Sequence, residues 1–161
     1  MDNNVLASDY GIQQMESMIG QKVRVDFNQG MDSRLITPEV AEIVSRLKWI
    51  REIRTACDTD GVLDTVIEKI ELLKSKGVNP GRIFVYVLVK DIESAERRAL
   101  ALRKIGAVPF AQPYRDFENN IEPTAEQKRF ARWVNRREIF MKTDTFAEYN
   151  SHFRRKQEGV K

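Results

Sequence analysis

The sequence predicts an α/β fold with parallel strands, a partial TIM-like (β/α) barrel followed by carboxy-terminal helices. Two observations carry this. Strand-like segments recur at the equivalent positions Val23, Ile53, Ile83 and Val108, at spacings of 30, 30 and 25 residues, and a helix-like segment follows each. Strands alternating with helices in this way imply a parallel sheet joined by right-handed crossovers. Each strand-like segment also runs directly into a polar turn, which is where parallel folds keep their sites. An open doubly wound sheet accepts the same pattern. Four strands are too few to close an eight-stranded barrel, which needs roughly 200 residues or more. The expected barrel is therefore an arc lacking its first unit or units.

Taken in order, Met1-Asp2-Asn3-Asn4 is a polar turn and Tyr10 to Ile19 reads as a helix. Val23, Val25 and Phe27 alternate as a strand and enter the turn "NQGMDSR". Thr37-Pro38-Glu39 starts a helix: Thr as N-cap, Pro at the first helical position, an acid in the first turn. Trp49 follows that helix. Ile53 to Cys57 reads as a strand and "DTDG" as a turn, with Asp60 as N-cap of the next helix. Val62, Leu63, Val66, Ile67, Ile70 and Leu73 share one face of it. Gly77 ends this helix and Asn79-Pro80-Gly81 turns the chain. "RIFVYVLVK" is nearly continuous in β-branched and aromatic residues, the pattern of a strand covered on both faces. "DIESAERRALALRKIG" is a helix stopped at Gly106, and "AVPFAQPYRD" is a short strand running into a polar rim. Thr124 caps a longer helix that carries Phe130, Trp133 and Val134, and a last short helix is expected within 143–161. The expected division is a barrel-like unit over 1–140 and a basic helical tail over 141–161.

A chain of 161 residues fits one domain with a real core. Its 42% hydrophobic and 32% charged residues fit a globular protein, and no apolar run approaches a membrane span. The lone cysteine, Cys57, cannot form an internal disulfide, so a reducing cytoplasm is expected. At a strand end it reads as a small buried hydrophobe. The only histidine, His152, has no visible acid or nucleophile partner. Residues 128–161 hold ten Lys/Arg against four Asp/Glu, a net +6, while the rest of the chain is net −3. Such a tail is a solvated helix end or meets nucleic acid or an acidic partner. Dinucleotide and P-loop glycine motifs are absent.

The strand ends collect a polar rim: Asp2, Asn3 and Asn4; Asn28, Gln29, Asp32 and Arg34; Asp58, Thr59 and Asp60; Lys90 and Asp91; Gln112, Tyr114, Arg115 and Asp116. Asp60 and Asp91 are explained as helix caps, and Asp116 and Asn119 as turn residues. Gln29, Asp58, Gln112 and Arg115 are less easily explained that way and are the candidate ligand contacts.

Several segments together resemble a known family. "DNNVLAS", "VDFNQGMDSRLITPEVAEIVSRLKWI", "CDTD", "SKGVNPGRIFVYVLV" and "PFAQPYRD" resemble the barrel units of radical SAM proteins, over roughly residues 1 to 140. The resemblance is closest to bacterial and phage members with a "DFNQGxDxRLI" segment. It implies an S-adenosylmethionine-binding rim, with Asn3 in the acidic/asparagine motif and Asp58 at the acid that contacts S-adenosylmethionine in many members. It also implies a 4Fe–4S cluster on a CxxxCxxC loop, and this chain has no such loop. Met1 falls within a motif that normally follows a strand. The expectation is therefore the carboxy-terminal portion of a radical SAM protein, as a fragment of the gene. One half of a split enzyme, or a remnant that binds without radical chemistry, would lack the same loop. The intact protein would cleave S-adenosylmethionine reductively and abstract hydrogen from a small-molecule or peptide substrate that the sequence does not identify; a missing amino-terminal half is the implied partner. The second function class is a non-catalytic α/β binding domain whose basic tail contacts nucleic acid or a protein.

Overall fold

The computed structural model describes residues 4–150. It is a mixed α/β structure in which every named strand runs parallel to its neighbours. A 3-10 turn, Val5–Ala7, leads into α1 (Asp9–Gly20) and a short β1 (Arg24–Val25). Then come α2 (Pro38–Arg46), β2 (Lys48–Trp49), β3 (Ile53–Ala56), α3 (Leu63–Ser75), β4 (Ile83–Val89), α4 (Ile92–Lys104), β5 (Val108–Pro113), α5 (Ala125–Asn135) and α6 (Arg137–Phe140).

The strands form two small sheets, β1-β2 and β3-β4-β5. One segment carries both β2 and β3, interrupted at residues 50–52. The Arg54 carbonyl accepts from the Met31 N–H at 2.8 Å, while the Cys57 N–H donates to the Tyr86 carbonyl at 2.7 Å. The loop after β1 therefore flanks β3 on one side and β4 flanks it on the other. The described strands do not close into a barrel. The registers Ile53↔Ile83 and Phe84↔Val108 align the repeat within one residue of the equivalence read from the sequence. β1 is shorter than expected, and Val23, at 41% exposure, stays outside it. β2 is an element the sequence does not announce: Trp49 sits in a strand, with its indole N–H donating to the Val44 carbonyl at 2.9 Å.

β4 corrects the expectation of a strand covered on both faces. Ile83, Val85, Val87 and Val89 are fully buried, but Phe84, Tyr86 and Leu88 are only half-buried. The helices cover one face, where α4 sets Ala95, Ala99 and Leu102 against the sheet. The other face is only half-covered. There Phe84, Tyr86 and Phe110 form a ring cluster with centroids 5.0–5.8 Å apart. They are apolar because they cover one another, which mimics the composition of a doubly buried strand.

The helix ends follow the sequence. Thr37 caps α2 with Pro38 behind it, Asp91 caps α4, and Thr124 and Gln127 form a reciprocal capping box on α5. Residues beyond 140 are stitched to the helices. Arg103 Nη1 donates to the Phe140 and Thr143 carbonyls, and Glu96 accepts from the Phe146 N–H. Trp133, Phe140 and Phe146 pack ring to ring. The tail residues His152, Arg154, Arg155 and Lys156 lie outside the described residues, as does Asn3.

The outer edge of β5 is closed. Asn135, the last residue of α5, accepts from the Ala111 N–H at 2.8 Å and donates to its carbonyl at 3.0 Å. The flanking outward positions are Pro109 and Pro113, which have no N–H to offer a further strand. Ala111 is buried at 1% exposure, so Asn135→Ala leaves a buried donor and acceptor unpaired. The expected loss is about 1–3 kcal/mol, read as a lower urea midpoint. An unchanged midpoint would show that water replaces the amide.

Candidate functional site

The loop "NQGMDSR" forms the first wall of a cleft at the carboxyl ends of β1, β3 and β4. Gly30 has φ +80°, and a Cβ there would come within 3.2 Å of the Arg54 carbonyl. Glycine is thus needed for the loop to lie against β3. Asn4 Oδ1 accepts from both the Leu6 and Asp32 N–H groups, tying the amino-terminal turn to this loop. Asp32 grips Arg34 at 2.6 Å and caps the 3-10 turn Ser33–Leu35. The hydrogen-bonded Arg34 guanidinium holds the Asp32 carboxyl below its ordinary range. Asn28 accepts from Arg54, which is also ion-paired to Asp26 at 2.6 Å. Most of the polar groups in this loop are therefore spent on structure. Gln29 is exposed, and no hydrogen bond or ion pair among the described residues holds its side chain.

The opposite wall is the "CDTD" turn, and a buried arginine sets its position. Arg98 on α4 is 2% exposed. Its Nη1 donates to the Cys57 carbonyl at 2.5 Å and its Nη2 to the Leu88 carbonyl at 3.0 Å. Its Nε lies 3.2 Å from Asp60 Oδ1. Asp60, a cap by its residue type, does not cap the helix that follows, because Thr59 starts the intervening 3-10 turn without a side-chain cap. The Asp60 carboxylate instead reaches across to α4, accepting from Arg97 at 2.5 Å and Ser94 at 2.8 Å. Those bonds, Arg97's first, hold its carboxyl below the usual range. Cys57 is buried, and burial pushes its thiol up to about 11, so it stays protonated at neutral pH. Asp58 lies between these two tethered residues, exposed and with no partner among the described side chains.

The cleft encloses about 430 Å³ and is lined by Gln29, Asp58 and Tyr86 among others. That is within the range of small-ligand sites. Gln112 and Arg115 are not part of it. They line a second cleft of about 460 Å³ at the ends of β4 and β5. Arg115 pairs with Glu122 at 2.7 Å and sits 5.0 Å over the Phe117 ring. The rim read from the sequence as one edge is thus two adjoining clefts. Asp91 caps α4, and Asp116 accepts from the Glu118 and Asn119 N–H groups, as expected of cap and turn. Sequence reasoning does not find Arg98, Tyr86 or Asn135. For Arg98 a signal exists: it falls on the apolar stripe Ala95, Ala99, Leu102 of α4, where a charge is out of place.

Among the described residues no group of three or more His, Cys, Asp or Glu is arranged to hold a metal ion, and no helix is long and apolar enough to cross a membrane. No family model, curated protein or solved structure matches this chain.

Arg98→Met keeps the buried stem and removes the donors. The expected cost is about 1–3 kcal/mol for each strand-end carbonyl left unpaired. Amide hydrogen exchange at Cys57, whose N–H donates to the Tyr86 carbonyl, should accelerate as well. A variant with the parent's urea midpoint and exchange pattern would show that the turn holds itself.

Proposed function

We propose that this chain supplies the S-adenosylmethionine and substrate rim of a radical SAM protein, as the carboxy-terminal arc of its (β/α) barrel. One observation carries the reading: Asp58 and Gln29 face a common cleft with free side chains, while their polar neighbours are committed to structure. Asp58 is also the residue that the family resemblance puts against S-adenosylmethionine. The half-covered face of β4 and the parallel register are compatible with a barrel arc.

In this reading the Asp58 carboxylate accepts hydrogen bonds from ribose hydroxyls. The Gln29 amide donates to or accepts from the amino-acid end. Tyr86 presents its ring to the adenosine. When bound, S-adenosylmethionine is the source of the radical. This chain's residues bind and orient it, and the tethered "CDTD" turn keeps Asp58 from collapsing onto Arg97. Gln112 and Arg115, expected from the sequence on the same cofactor rim, line the neighbouring cleft and are not S-adenosylmethionine contacts in this reading.

The iron–sulfur cluster does not fit this chain. A cubane needs several thiolates. Cys57 is the only cysteine, and it is buried, protonated and 3.9 Å from the Thr59 carbonyl. The cluster thiolates would come from another polypeptide segment.

Calorimetry of the full chain with S-adenosylmethionine tests the reading. Asp58→Ala is expected to weaken binding about tenfold, the value of one charge-assisted hydrogen bond. Equal affinities would remove Asp58 from the site, and no binding by the parent chain would remove the reading. Reconstitution with iron and sulfide is expected to leave the isolated chain without a cluster. Stable broad visible absorbance with stoichiometric iron would contradict the ligand argument.

A further inference from the structure

We infer that the second cleft, at the carboxyl ends of β4 and β5, binds a nucleotide through its base and its phosphate. This goes beyond the S-adenosylmethionine reading and does not depend on it. The first observation is Phe117, which is 80% exposed at the tip of a turn. The turn is held rather than loose. Asp116 and Ile121 exchange two backbone hydrogen bonds, 3.1 and 2.9 Å. The Asp116 carboxylate accepts from two further N–H groups and from the Asn119 amide. A well-bonded turn that keeps a large apolar ring in water is built to present it.

One face of that ring is already occupied. The Arg115 guanidinium lies over it, and Glu122 fixes Arg115 in place. An aromatic ring backed by an oriented guanidinium is a stacking platform for a planar group. Gln112 adds an exposed amide with no partner among the described residues, able to donate and accept along a base edge. Charge points the same way. Glu122 is the acid lining the cleft and is paired, whereas Lys128 has no described partner. Lys90 sits 5.2 Å above the Tyr114 ring that also lines the cleft. An apolar peptide would cover Gln112 and Lys128 without satisfying them. A nucleotide brings its base to the ring and the amide and its phosphate to the ammonium. The volume, about 460 Å³, suits one such unit.

The same chemistry is offered by a free nucleotide and by a nucleotide in a single strand. A duplex keeps its base faces stacked inside. The test uses the full chain and fluorescence anisotropy, with a labelled mixed-sequence single-stranded oligonucleotide, the same sequence as duplex, and adenosine monophosphate as competitor. The single strand is expected to bind at least tenfold more tightly than the duplex. Phe117→Ala should weaken it roughly fivefold to a hundredfold, the loss of one stacked base. Lys128→Gln should weaken it less and flatten the salt dependence. Because Phe117 is exposed, the variant should keep the parent's circular dichroism, and Gln112→Ala provides a second probe of the cleft. Competition by adenosine monophosphate supports a free nucleotide as ligand; its failure supports the strand. Absent binding, equal affinity for the duplex, or Phe117→Ala and Gln112→Ala variants that bind like the parent would overturn the proposal. So would self-association of the chain through Phe117 without nucleotide binding.

Discussion

A guanidinium taken out of water must find partners for its nitrogens or it unfolds what surrounds it. Arg98 meets that constraint with hydrogen bonds from its two terminal nitrogens, to the end of β3 at Cys57 and the end of β4 at Leu88, while its Nε makes no hydrogen bond and has only the ion pair with Asp60 in the turn after β3. The carbonyls at strand ends are the ones the ladder leaves unpaired, so one side chain satisfies two exits of the sheet. Asp60 is drawn to α4 a second time by Ser94 and Arg97. The "CDTD" turn is consequently tied at both ends, and Asp58 and Thr59 are the residues left facing outward. The shape of the first cleft follows from an arginine that does not line it.

The two faces of the sheet obey different rules. The helix-side face is dry and aliphatic, with Ile83, Val85, Val87 and Val89 fully buried. The half-covered face mixes aromatic rings with a paired charge: Arg54, its side chain only 10% exposed, is held by Asp26 and Asn28. Charge on a half-covered surface is tolerable where its partners arrive on the neighbouring strand and loop. The clefts sit at the carboxyl ends of the strands because there the backbone ends, turns and polar side chains coincide.

Period and capping are legible in the chain. The spacing that aligns Ile53 with Ile83 reappears as their register, and Thr37, Asp91 and Thr124 cap the helices they precede. These are local signals: each depends on a few neighbouring residues. What is not legible depends on approach in space. "RIFVYVLVK" does not reveal that its aromatic members cover one another, because a ring buried by a ring and a ring buried by a helix look alike in sequence. Asp60 reads as a cap because the residue type suits one, and its true partners lie 34 and 37 positions away. The rim divides into two clefts because Gln112, near the end of β5, and Arg115, just after it, stand beside Leu88 rather than Tyr86.

The edge of β5 has one more consequence. Edge-to-edge growth of a sheet requires each molecule to be adhesive on both sides, so that every addition exposes a new template. Here Pro109, Pro113 and the Asn135 amide make one side inert. Among the described strands, only the side beyond β1 can accept a strand from another molecule. Two copies joined there meet about a twofold axis and present inert borders outward. Edge-to-edge extension of this sheet therefore stops at β5.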